Sequence, residues 1–112
     1  MNKLILNYFT QEKLEKIFAV NTIGIITSLQ ENVITIEEAE KMIFSPRTMD
    51  LMKSKGASEE LLNILHLGTE LEDVESLIPH KLNSSLEEIK KQCLKLLQNR
   101  AGNTIDDHIY EH

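Results

Sequence analysis

Residues 11–30 read QEKLEKIFAVNTIGIITSLQ, and the spacing of their apolar side chains decides the fold. Leu14, Ile17, Phe18, Ile25 and Leu29 recur at helical intervals rather than in the alternation of a strand. Val20, Ile23 and Ile26 carry the apolar surface around the other side, the pattern of a helix that sits centrally. Thr10 supplies its cap. Gly24 lies in the middle, where glycine is less favourable than alanine by about 1 kcal/mol, so a close helix crossing is the expected compensation. Asn21 shares the same wall and needs a hydrogen-bond partner wherever it is buried.

Further helix starts are marked along the chain after this stretch. Thr35-Ile36-Glu37-Glu38 is a capping box: the Thr hydroxyl accepts from a free backbone N–H and Glu38 reaches back to the cap. Ser45-Pro46 is a Ser cap followed by Pro at the first helical position. That helix is expected to stop at Lys55-Gly56. Ser58 opens the next, with Glu59 and Glu60 in its first turn, and Gly68 is read as its end. Thr69-Glu70-Leu71-Glu72 reads as a second capping box, and Ser84-Ser85-Leu86-Glu87 as a third. The third leads a stripe of Leu86, Ile89, Cys93, Leu96 and Leu97 that ends near Gly102. The prediction is a mainly α protein, a compact bundle of about six short helices. Lys3 to Phe9 leaves room for one short N-terminal strand, with Val33-Ile34, the tail or another subunit as its partner. Residues 1–100 form a single helical domain in this reading, and 101–112 a C-terminal tail free to fray.

The 112-residue length suits one domain. Hydrophobic residues make up 41% of the chain, enough for a core, while aromatics are only 4% and Trp is absent. That core must be mostly Leu, Ile and Met, which suits helix-on-helix packing. The net charge of -6 repels phosphate backbones and disfavours nucleic acid. Single Cys93 cannot form an internal disulfide and reads as a small hydrophobe on a helix stripe. No segment approaches the ~18 apolar residues of a membrane span, and the first nine residues lack the long apolar core of a signal peptide. The expected location is the cytoplasm.

Several motifs suggest chemistry and do not sustain it. The last five residues, His108 to His112, read HIYEH, the H-x-x-E-H pattern of inverted zinc peptidases. Such a site needs a third protein ligand downstream, and the sequence stops at His112. Thr27 to Glu38 matches the second half of a calcium loop, but Leu29 stands where an oxygen ligand belongs and Asn32 replaces the usual Gly. The corner at Ser45-Pro46 has the outline of a DNA-reading helix pair with Arg47, Thr48 and Lys53. It also carries Asp50 and follows an acidic helix, against the basic footprint DNA requires. His66 and Glu70 are one helical turn apart, but a break at Gly68-Thr69 is expected to part them. His66 and His80 read as buried or capping histidines. Most of the acids between Glu70 and Glu75 sit in the first turn after the Thr69 cap, and Glu37, Glu38, Glu59, Glu60, Glu87 and Glu88 are likewise read as first-turn residues, where they offset the helix dipole. Glu75 falls beyond the first turn, and capping does not account for it.

The stretch ENVITIEEAEKMIFSP (31–46), followed by HLGTELEDVESLIP (66–79), resembles a domain-of-unknown-function family of short proteins from low-GC Gram-positive bacteria. The resemblance spans Thr22 to Leu97 and implies no catalytic residues. By analogy with small bacterial immunity and antitoxin factors, it suggests an immunity-like or regulatory partner protein.

The leading expectation is a non-catalytic, acidic cytoplasmic protein-interaction module, with no cofactor and no metal. Its contact surface would be the face of Glu70, Asp73 and Glu75. The partner is another protein, or a second copy of the chain paired through Lys3 to Phe9. Two alternatives are a transcriptional regulator using the Ser45-Pro46 corner and a metal-dependent enzyme using the terminal histidines.

Overall fold

The computed structural model describes residues 11–99, and no strand occurs among them. The expected strand at Lys3 to Phe9, the Thr10 cap, the helix stop at Gly102 and the tail from 101 onward lie outside the described residues. Val33, expected to pair with that strand, instead donates its N–H to Ser28 O at 3.0 Å and closes the preceding helix.

Helix α1 spans Gln11–Gln30, α2 Ile36–Met42, α3 Pro46–Ser54, α4 Glu59–Thr69, α5 Leu71–Leu77 and α6 Leu82–Asn99, with a 3₁₀ turn at Pro79–Lys81. The mainly helical class holds, and the expectation of about six short helices is corrected to four principal ones. These are α1, α3, α4 and α6, because α2 and α5 are seven-residue segments. The long α1 and α6 pack on each other, α4 joins them against α6, and α2 bridges α1 and α5.

The buried face of α1 carries Leu14, Phe18, Ala19, Thr22, Ile26 and Leu29. Thr22 satisfies its buried hydroxyl by donating to Phe18 O at 2.8 Å. The helix is not enclosed all round. Val20 is 55% exposed. Gly24 is also exposed, with no atom within 4 Å of where a Cβ would stand, so the expected close crossing at Gly24 does not occur. The stripe Leu86, Ile89, Cys93 and Leu96 of α6 is buried as its spacing requires.

Two helix ends use left-handed residues in the same way. Asn32 adopts φ 60° after α1, with Asn32 N–H on Leu29 O and Val33 N–H on Ser28 O. Gly56 adopts φ 78° after α3, with Gly56 N–H on Lys53 O and Ala57 N–H on Met52 O. Both are Schellman closures, which return two otherwise unpaired N–H groups to the final turn. The Thr35 capping box and the Ser45 and Ser58 caps form as the sequence indicates.

Three expected boundaries move. Gly68 does not end α4; it is buried inside the helix, where the Phe44 ring lies against its Cα. Thr69 caps nothing, because its hydroxyl donates to His66 O at 2.7 Å. The first residue before α5 is Glu70, which makes no side-chain cap. Ser84 likewise donates to Lys81 O, since α6 already begins at Leu82 behind the 3₁₀ turn, and Glu87 and Glu88, expected in its first turn, therefore lie beyond it.

A buried carboxylate ties α1 to the start of α4. Glu15 of α1 is 1% exposed. Its Oε2 accepts from Ser58 N–H at 2.8 Å, and its Oε1 from the Ser58 hydroxyl at 2.6 Å. The same hydroxyl oxygen accepts from Leu61 N–H and so caps α4. A carboxylate is thereby relayed to the positive end of a helix dipole.

Candidate functional site

The short helices α2 and α5 bring together carboxylates that are distant in sequence. A depression of ≈ 560 Å³ is lined by Glu37, Glu40 and Lys41 from α2 and by Glu72 and Glu75 from α5, with Ile36 at its base. Four carboxylates thus face one lysine, and Lys41 already lies 3.6 Å from Glu37. The Glu40 carboxyl is pushed above its ordinary value by its hydrogen bond to Glu72. Desolvation and the nearby charges of Glu72, Glu37 and Asp73 add to the shift. Like charges crowd this cluster, and the Glu40 carboxyl holds its proton more tightly there than in open solvent.

The helix dipole explains part of this cluster. Glu37, Glu72 and Asp73 occupy first turns. Glu40 and Glu75 do not, and they are the pair with no local task. Sequence spacing singled out Glu75 for this reason. It missed Glu40, whose significance depends on a helix that begins some thirty residues further along the chain.

The three residues anticipated as a contact face are placed as follows. Glu75 lines the acidic depression, and Asp73 acts on it through its charge. Glu70 lies on the rim of a different hollow with Leu67, Val74, Ser84, Ser85 and Glu88. Glu70 also meets His66 Nε2 at 3.6 Å, so the expected break between them is corrected: α4 runs through Gly68 and holds the pair on one face. Both groups are more than half exposed. His66 and His80 are exposed rather than buried, because one lies on the outer face of α4 and the other in the 3₁₀ turn.

At the Ser45-Pro46 corner, Met52 is buried and Met49 half-buried, as a packed corner requires. Arg47, Asp50 and Lys53 are exposed, and Thr48 is tied to the Ser45 cap through its N–H and hydroxyl. His108 to His112 lie outside the described residues. Among the described residues, no group of three His, Cys, Asp or Glu side chains could hold a metal ion. Cys93 is fully buried, and burial pushes its thiol up to about 12. None of the described helices is long and apolar enough to cross a membrane.

Comparison with known proteins gives one result. Neither the curated proteins nor the solved structures contain a match to the chain. A family described as "Protein of unknown function (DUF3969)" matches residues 9–111. That span encloses the Thr35 capping box, the α2–α5 cluster and both long helices, and the chain therefore belongs to the DUF3969 family.

Proposed function

We propose that this protein is a non-catalytic interaction module that binds a basic surface of a partner protein through the acid cluster between α2 and α5. In this reading it acts in the cytoplasm of a low-GC Gram-positive bacterium, as an immunity-like or regulatory partner. The observation that carries the proposal is the convergence of Glu37, Glu40, Glu72 and Glu75 on one depression that holds a single lysine, and the raised Glu40 carboxyl agrees with that crowding. A lysine or arginine placed between Glu40 and Glu72 would offset the crowding of like charges and gain charge-assisted hydrogen bonds to both. The net charge of -6 would steer such a partner to the surface.

The test is affinity capture from the native host lysate with the wild-type chain and with the double variant Glu40→Lys/Glu75→Lys. Circular dichroism of both proteins accompanies it. The substitutions relieve like-charge crowding, so the variant is expected to stay folded. A stoichiometric partner held by the wild type, released by added salt and absent from the variant supports the reading. A partner retained equally by the variant would sink it.

A further inference from the structure

An apolar groove adjoins the acid cluster. Leu29, Ile34, Ile36, Leu82 and Leu86, together with Asn32 and Thr35, line a depression of ≈ 390 Å³ beside α5. This hollow and the acidic one share a wall made of Ile36, Glu37 and Glu75. Two exposed apolar side chains stand next to these wall and floor residues in the chain. Val33, beside Ile34, is 71% exposed, and Leu77, two residues past Glu75, is 76% exposed. An apolar floor therefore runs directly into a carboxylate cluster.

We infer that the joined depressions dock one amphipathic, basic segment of another protein, an inference that rests on the acid-cluster reading above. An apolar anchor of that segment sits against Leu29, Ile34, Leu82 and Leu86. Its lysine or arginine side chains pass the Glu37–Glu75 wall and reach Glu40 and Glu72. Charge complementarity selects this occupant. Four carboxylates face one lysine in the acidic half. A second copy of the chain, docked face to face, would set the same carboxylates against each other. Nucleic acid would meet the same repulsion. The hollow is at the small end of ligand pockets, which span roughly 300–1,000 Å³, and that suits one or two anchoring side chains.

The experiment uses the full chain and two fluorescein-labelled peptides of equal positive charge. One places leucine and lysine at helical spacing; the other is oligolysine. Anisotropy titrations are run on the wild type, Ile34→Asp and Glu75→Lys. The leucine–lysine peptide should bind at least about tenfold more tightly than oligolysine, the gain expected from one buried anchor. Ile34→Asp should remove that advantage and leave oligolysine binding intact, and Glu75→Lys should weaken both peptides. Ile34 is half-buried, so Ile34→Thr, with its retained branching, serves where the aspartate variant melts too early; a several-fold loss is then expected. Equal affinity for the two peptides, or an advantage that survives the Ile34 variants, overturns the groove and leaves the acid cluster standing. Binding of neither peptide, or binding indifferent to Glu75→Lys, overturns both.

Discussion

The same substitution, glycine to alanine inside a helix, should have opposite signs at two positions. Alanine is intrinsically favoured over glycine in a helix by about 1 kcal/mol. At Gly24 a new Cβ meets nothing within 4 Å, so Gly24→Ala should realise that gain and raise Tm by roughly 4–8 °C. At Gly68 the new Cβ would stand 2.5 Å from Cγ and Cε1 of Phe44. Phe44 is 2% exposed and has no open space to turn into. Forcing one carbon into a filled core costs about 1–3 kcal/mol, and a contact with rigid ring atoms belongs at the upper end. After subtracting the helix gain of about 1 kcal/mol, Gly68→Ala should destabilise by about 1–2 kcal/mol. The two variants should then differ by on the order of 10 °C in Tm. Urea and thermal unfolding followed by far-ultraviolet circular dichroism measure both. Shrinking the ring should relieve the clash, so Gly68→Ala should be milder in a Phe44→Leu background than in the wild type. A Gly68→Ala protein as stable as the wild type, or one whose effect ignores Phe44, would refute the packing explanation.

Other perturbations test the remaining features. Folding raises the Glu40 carboxyl above its ordinary value of 4.5, so the folded chain holds that proton more tightly than the unfolded one. The resulting stabilisation is full below pH 4.5 and is lost as pH rises through the raised value. Glu40→Gln should therefore be more stable than the wild type at neutral pH, and the difference should close in acid. An unchanging difference across that titration would count against the crowding of Glu40 by its acidic neighbours. Glu15→Ala removes the acceptor of two hydrogen bonds from Ser58, and bonds to a charged group contribute about 1.5–3 kcal/mol. Urea unfolding should show a loss of at least about 2 kcal/mol, with Glu15→Gln keeping part of it. Cys93, buried with its thiol pushed up to about 12, should resist thiol reagents in the native chain and react only as denaturant unfolds it.

Local signals in the sequence located the caps at Thr35, Ser45 and Ser58 and the stop at Lys55-Gly56, and misplaced the boundaries at Gly68, Thr69 and Ser84. Thr35, Ser45 and Ser58 bond as their neighbours in sequence imply, because a cap involves residues only three apart. The apolar stripe of α6 was legible for the same reason, since its period is a local property. Gly68 was misread as a stop because glycine does end helices; here it makes room for Phe44, a residue of the preceding helix corner. Thr69 matched the capping pattern, yet its hydroxyl found the His66 carbonyl once α4 continued past Gly68. One wrong boundary thus produced a second, and it also separated His66 from Glu70 on paper. Within the candidate site, Glu75 was visible as an acid with no capping role. Glu40 was not, since only the meeting of α2 and α5 gives it a neighbour in Glu72.

The Glu15–Ser58 contact has a bearing on how the chain comes apart. The first turn of α4 is completed by a carboxylate from α1, 43 residues earlier. Detaching α1 therefore strands the Ser58 N–H and weakens the hydroxyl that holds Leu61 N–H. Fraying of α4 from its N-terminal end is thus coupled to the undocking of a helix remote in sequence, and the two should open as one foldon. Amide hydrogen exchange at Ser58 and Leu61 should then follow the protection of the α1 interior rather than that of the exposed turn in which Ser58 sits.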